Sequence, residues 1–132
     1  MITVIQARRM VGIPAILIAL YAAVPAGAHT ATERFIPIGQ SPGVSHILTA
    51  VGKIDAVDPA RKSITVATPS GTLVIGIRKD SKIWLDRTKL KQSNLVGGFA
   101  DLKSGSTIEV KFVDPNRKKF ADWVKIEAPP PR

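Results

Sequence analysis

The hairpin that decides the fold reads ILTAVGKIDAVDPARKSITVAT and occupies residues 47–68. Its first run, residues 47–57, has the apolar and β-branched content of a strand. Gly52 lies in the middle of that run, where a missing side chain permits a bulge or a sharp bend. A V-D-P-A-R-K turn ends the run, and residues 63–68 then alternate between apolar and hydroxyl side chains, as a half-buried strand does. We therefore predict two strands joined by a tight, cationic turn.

The same turn sequence occurs a second time, as V-D-P-N-R-K at residues 113–118. It separates the last two strand-like runs, residues 107–113 and 120–126. A further run covers residues 72–77, and the apolar residues 83–85 extend it or add to it. In both copies Asp-Pro begins a tight turn, because proline presets the backbone and aspartate accepts a local hydrogen bond. The repeat thus predicts two hairpins of the same design.

Side-chain alternation in residues 107–113 assigns the two faces of that strand. Ile108, Val110 and Phe112 share one face, which we expect to be buried, and Thr107, Glu109 and Lys111 share the other. The region between residues 86 and 105 loses this alternation. It has room for one short helical turn at most, centred on residues 99–103.

Three strands, a connection with a short helical turn, and two more strands follow the order of the OB-fold, a five-stranded Greek-key barrel. We therefore predict an all-β, OB-like barrel over residues 46–128. A flatter five-stranded meander or a small sandwich is the alternative. Residues 129–132 form a proline-rich tail that ends the last strand, since proline cannot donate to a ladder.

The N-terminal 28 residues have the layout of a secretory signal peptide. Arg8 and Arg9 precede an apolar run over residues 11–24, and small residues follow up to Ala28, where we expect cleavage. The apolar run is shorter than the roughly 20 residues that span a bilayer, so no membrane anchor is expected after cleavage. The protein should therefore be periplasmic or secreted.

A lead-in over residues 29–45 separates the signal peptide from the barrel. Its glycines and prolines predict an extended or flexible segment. Its apolar residues Phe35, Ile36 and Ile38 predict that part of it packs back on the domain.

Charge and cysteine content limit the function classes. The chain has a formal net charge of +9 and no cysteine, so anionic partners are favoured, and thiolate catalysis and disulfide frameworks are excluded. Neither a G-x-S-x-G elbow nor an acid–base pair stands out. We expect a protein that is not an enzyme and needs no cofactor.

Three stretches resemble an uncharacterised family of exported bacterial β-barrel proteins: residues 38–45 (IGQSPGVS), 83–87 (IWLDR) and 121–126 (ADWVKI). That resemblance implies an exported, OB-like protein and no particular activity. In layout the chain is also similar to periplasmic copper and silver chaperones built on the OB-fold, which bind metal through a histidine, two methionines and a tryptophan. Met1 and Met10 are the only methionines, and both lie in the signal peptide, so these metal ligands are not reproduced.

The candidate binding site consists of the cations of the two turns, because OB-fold ligands are bound near these loops. Arg61 and Lys62 would lie near the cations of the second turn, Arg117, Lys118 and Lys119, and together attract an anionic polymer or surface. The alternative is that basic hairpin tips only keep the protein soluble and its strand edges unpaired.

Trp84 and Trp123 are included in the candidate site because exposed rings beside cations would form a stacking surface. Their alternative is burial in the core or at a barrel end. Phe99, Phe112 and Phe120 are the other rings near the barrel.

Together these features predict an exported binding module whose basic rim contacts an anionic envelope component or an acidic protein. Nucleic acid is not an expected partner, and the oligomeric state stays open. A first alternative is an assembly protein that pairs through a strand edge or through residues 35–45. A second is weak metal carriage through His29, which cleavage would make the N-terminal residue, whereas His46 has no assigned role.

Overall fold

The computed structural model of the chain describes residue 12 and residues 32–132. The predicted signal peptide, its predicted cleavage point and His29 therefore lie outside the described residues, residue 12 apart. The described part contains six strands: β1 Thr49–Asp58, β2 Ser63–Thr68, β3 Gly71–Asp86, β4 Leu95–Val96, β5 Thr107–Phe112 and β6 Phe120–Glu127. No helix among these residues is long and apolar enough to cross a membrane.

Five of the six strands close into a barrel. Strand β1 pairs antiparallel with β2 and β5, β5 with β6, and β2 with β3, while β3 runs parallel to β6 and completes the ring. The short β4 adds to β3 outside this ring. The predicted all-β, five-stranded OB-like barrel is confirmed, and the flatter meander and the sandwich are wrong.

Strand β3 differs most from its prediction. It is one continuous strand of 16 residues, so the charged stretch 78–82 does not interrupt it. Its pairing with β6 does shift register between Ile77 and Lys82. The following connection contains two 3-10 turns, Thr88–Leu90 and Phe99–Asp101, one more than predicted.

Gly52 lies where β1 passes from one neighbouring strand to the other. It pairs with Ile108 of β5, and a Cβ at this position would lie 2.1 Å from the carbonyl oxygen of Ala67 in β2. Only glycine permits this approach of two backbones. The register shift of β1 lies further along, between Ile54 and Ala56.

The barrel core is aliphatic and contains one aromatic ring, Phe112. The predicted buried face of β5 is confirmed, because Ile108, Val110 and Phe112 are all at most 3% exposed. The buried core residues are Ile54, Ile64, Val66, Ile75, Ile83, Leu102, Ile108, Val110, Phe112, Ala121, Val124 and Ile126.

The lead-in packs on the outside of the barrel, as predicted for part of it. The backbone N–H of Ile38 donates to Asp86 Oδ2 at 2.9 Å, and that of Gly39 donates to Glu109 Oε1 at 3.2 Å. Phe35 is an exception, since 60% of it is exposed. The lead-in thus seals an outer face of β3, β5 and β6 that the barrel alone would leave in water.

Candidate functional site

The two V-D-P turns share an aspartate that caps a backbone N–H and a lysine with positive φ. Asp58 Oδ1 accepts a hydrogen bond from the Arg61 N–H at 3.1 Å, and Asp114 Oδ1 accepts one from the Asn116 N–H at 2.9 Å. The sixth residue of each copy is a lysine in the left-handed region, with φ of 49° at Lys62 and 52° at Lys118. The repeated sequence therefore gives the same left-handed lysine in both turns, while the aspartate accepts from the fifth residue of the first copy and from the fourth residue of the second.

The bases of the two turns are hydrogen-bonded to adjacent residues of β3. The carbonyl oxygen of Lys62 accepts a hydrogen bond from the Ile77 N–H, and that of Lys119 accepts one from the Gly76 N–H, each at 2.7 Å. Since Gly76 also pairs with Ser63 of β2 and Phe120 of β6, the turns emerge on either side of β3. The closed barrel thus brings two turns together that are more than 50 residues apart in the chain.

The five cations of the turns are all exposed but differ in their contacts. Arg61 lies 4.0 Å from Asp58, and Arg117 lies 3.7 Å from Asp114, within their own turns. Such exposed pairs contribute little to stability. Lys62 Nζ lies 4.6 Å from the ring centroid of Phe99.

Trp84 and Trp123 do not form an exposed stacking surface. They are 4% and 1% exposed, and their ring centroids lie 5.5 Å apart. Both are buried on the outer face of the sheet rather than in the barrel core. The idea that these rings stand exposed beside the cations is wrong, and burial, the alternative, is correct.

The exposed ring near the turns is Phe120. It follows the second turn directly and lies against Gly76, where a Cβ would come within 2.7 Å of the ring. The guanidinium carbon of Arg78 lies 5.2 Å from the ring centroid. Gly76 in the interior of a strand was the available signal, because such a glycine marks a close approach by another group.

A buried ionic cluster lies under the lead-in, and sequence reasoning did not find it. Lys125 and Glu109 are both 0% exposed and face each other across β5 and β6, with Nζ and Oε1 3.7 Å apart. Lys125 Nζ also lies 2.8 Å from Ser41 Oγ and 3.5 Å from Glu33 Oε2. The two lead-in residues therefore complete the coordination of a buried ammonium group.

Aromatic rings and hydrogen bonds surround this cluster. Lys125 Nζ lies 4.5 Å from the ring centroid of Trp123, an arrangement in which the ring stabilises the cation. Glu109 Oε2 accepts a hydrogen bond from Thr49 Oγ1 at 2.9 Å. Trp123 Nε1 is buried and has no hydrogen-bond partner among the described residues. The Lys125 and Glu109 side chains are closed to solvent, and Glu33 at the edge of the cluster is 15% exposed.

The three stretches on which the family resemblance depends meet at this cluster. Ser41 belongs to the first stretch, Trp84 and Asp86 to the second, and Trp123 and Lys125 to the third. Asp86 binds the Ile38 N–H, so the second stretch also contacts the first. Residues of these three stretches thus attach the lead-in to the barrel.

Residues 32–132 contain no group of three or more histidine, aspartate and glutamate residues that could hold a metal ion. His46 lies just before β1 with φ of 65° and is exposed.

The chain was compared with known proteins in three ways. No protein-family model matches it, and no curated protein matches it. Among solved structures it is similar to silver(I)-bound CusF, residues 10–88, from Escherichia coli, at 17% identity and a TM-score of 0.43, with 61% of this chain and 91% of that chain covered. It is also similar to apo-CusF, residues 6–88, from Escherichia coli, at 18% identity and a TM-score of 0.41, with coverage of 61% and 87%.

Proposed function

We propose that the chain is an exported, non-catalytic binding module that contacts an anionic component of the cell envelope through its two V-D-P turns. The observation that carries this proposal is that both turn bases are hydrogen-bonded to adjacent residues of β3, Gly76 and Ile77. A ligand that spans the outer surface of this strand can contact cations of both turns at once.

The charge distribution supports an anionic ligand. Each turn contributes one aspartate, which is used within the turn by a backbone N–H and an arginine. The lysines Lys118 and Lys119 have no acidic partner among the described residues. Several exposed cations on one rim attract anions over about a Debye length, and the attraction weakens as salt is added.

A binding role without catalysis is supported by the state of the buried charged groups. Lys125 and Glu109 are fully buried and held by lead-in residues, so a substrate cannot reach them. Export is supported by the composition of residues 1–28.

Co-sedimentation at low and raised salt tests the proposal, with anionic vesicles in one arm and a soluble anionic polysaccharide in the other. The test variant changes Arg61, Lys62, Arg117, Lys118 and Lys119 to serine. The control variant removes the same charge from exposed cations outside the turns and outside β3, Lys53, Lys89, Lys91, Lys103 and Arg132. Wild type and control should bind at low salt, and the test variant should not. Equal binding by both variants, or none by wild type, would contradict the proposal.

Assembly through residues 35–45 is less well supported. The N–H groups of Ile38 and Gly39 are already bound to Asp86 and Glu109 of the same chain, so a partner would have to displace them. Metal carriage through His29 concerns a residue outside the described part, and it stays a prediction for calorimetry with copper and nickel.

A further inference from the structure

The exposed apolar side chains are concentrated around the second V-D-P turn. Eight large hydrophobic residues are exposed among the described residues, and three of them, Phe35, Leu95 and Val96, belong to the lead-in and β4. The other five surround the turn between β5 and β6, and we call them the turn patch: Ile47, Leu48, Val74, Val113 and Phe120. Exposed apolar side chains gathered near one turn mark an interaction site more often than scattered single residues do.

Backbone pairing places the members of the turn patch together. Val113 immediately precedes the turn, and its N–H donates to the carbonyl oxygen of Phe120 at 2.9 Å. Phe120 pairs with Gly76, and Val74 lies two residues earlier on β3, on the same outer face. Val74 is 66% exposed and Phe120 is 47% exposed.

The remaining members reach the turn from the start of β1. Ile47 and Leu48 line a groove together with Pro115 and Lys118 of the turn. Ile47 is 73% exposed, the largest exposure among the hydrophobic residues of the described chain. The groove therefore joins the apolar residues before β1 to the tip of the second turn.

Cations border this apolar surface. Arg117, Lys118 and Lys119 follow one another in the turn, and its one acidic residue, Asp114, is hydrogen-bonded to the Asn116 N–H and lies 3.7 Å from Arg117. Apolar side chains bordered by lysine and arginine fit the interface of an anionic bilayer, where the former enter the headgroup region and the latter pair with phosphates. A soluble polyanion would use the cations alone.

We propose that the turn patch docks on an anionic lipid surface, with Phe120, Val113 and Val74 entering the headgroup region and the cations of the turn bound to lipid phosphates. This inference rests on the proposed function and specifies its anionic component as a lipid. It also makes the two turns unequal, since only the second is surrounded by exposed apolar residues.

The first turn provides a matched control within the chain. It has the same Val-Asp-Pro and Arg-Lys residues and the same positive-φ lysine, but Val57 packs against the core and Ser63 follows its lysine. We expect R117S/K118S to lower partitioning onto equimolar phosphatidylglycerol–phosphatidylcholine vesicles roughly 25-fold, since each cation near an anionic surface contributes about a factor of five. R61S/K62S should lower it less than about fivefold.

Insertion is tested separately with F120W and vesicles that contain brominated phosphatidylglycerol. The F120W ring should be quenched, whereas the wild-type protein should not be, because both native tryptophans are almost completely buried. The variant V74S/V113S removes apolar side chains but leaves the Phe120 ring packed on Gly76. It should therefore keep the wild-type unfolding temperature and lose about tenfold in partitioning onto vesicles.

Several results would overturn the inference while leaving the proposed function intact. These are equal effects of the two double variants, vesicle binding without quenching of the F120W ring, and full vesicle binding by V74S/V113S. Wild-type binding to the soluble polysaccharide without binding to vesicles would have the same meaning. Binding to neither would contradict the inference and the proposed function together.

Discussion

Replacing the buried lysine, Lys125→Met, should destabilise the protein strongly. Lys125 is 0% exposed, and its ammonium group lies within 3.7 Å of Glu109, a second fully buried charge. Methionine has a similar volume and length but no charge, so the substitution leaves the packing largely intact. It isolates the electrostatic consequence of an unpaired buried carboxylate.

The magnitude follows from what remains around Glu109. Breaking a buried ion pair by removing one partner costs about 3–5 kcal/mol, because the other charge is left without compensation. Glu109 would keep the hydrogen bonds from the Gly39 N–H and Thr49 Oγ1, so we expect the lower end, about 3 kcal/mol. For a domain of this size that corresponds to a fall in Tm of roughly 10–25 °C.

Urea unfolding followed by tryptophan fluorescence measures this loss, since Trp123 lies directly against the lysine. Lys111→Met is the control, because Lys111 lies 3.6 Å from Asp122 in a pair that is one-third exposed or more on both sides. An exposed pair of this kind should change stability by less than about 1 kcal/mol.

The double variant K125M/E109M shows whether the loss of stability in K125M comes from the unpaired charge or from altered packing. Removal of both charges should restore stability to within about 1 kcal/mol of wild type, since a well-packed apolar pair can replace a buried ion pair. A double variant as unstable as K125M, or a loss below 1 kcal/mol in K125M itself, would refute the electrostatic account of the cluster.

Three further predictions concern glycine packing, turn strain and the lead-in. Gly76→Ala should cost about 1–2 kcal/mol, because its Cβ would lie 2.7 Å from the Phe120 ring, and G76A should cost nothing further in an F120A background when both are followed by calorimetry. Lys62→Gly and Lys118→Gly should each stabilise by about 1 kcal/mol in urea titrations, because each lysine has a positive φ, and no gain in either variant would contradict this account. Deletion of residues 33–45 should expose Trp84 and Trp123 and shift their emission to the red, while far-UV circular dichroism keeps its strand signal. An unchanged emission maximum would show that the lead-in does not cover these rings.

Regular side-chain alternation made most of the barrel predictable. Strand β2 matches its predicted bounds, and β5 and β6 differ from theirs by one residue each. Strand β3 was harder, because residues 78–82 are polar on both faces and resemble a loop. The strand has passed its β2 partner there and bulges from β6, since Ile77 to Lys82 on β3 matches Ala121 to Trp123 on β6.

The candidate site was predictable in part. The two turns were identified because Asp-Pro followed by Arg-Lys has a local structural meaning, and their cations are exposed as expected. Phe120 was not singled out as the exposed ring, because a register shift between Lys111 and Phe112 disturbs alternation at the start of β6. A bulge of this kind reverses which side chains face outward and leaves no clear periodic signal.

The sequence by itself determined the strand order, the two turns and the apolar barrel interior, since each depends on alternation and turn chemistry within a few residues. Only the tertiary structure decided which residues of the outer face are buried. Glu109 and Lys125 lie on the side of their strands opposite the core, where alternation predicts exposure to water. The lead-in covers that side from about 70 residues or more away in the chain and supplies the hydroxyl and N–H groups that make burial of these charges tolerable. Local pattern cannot report such a cover, because burial depends on which segments pack together and not on the strand that is covered.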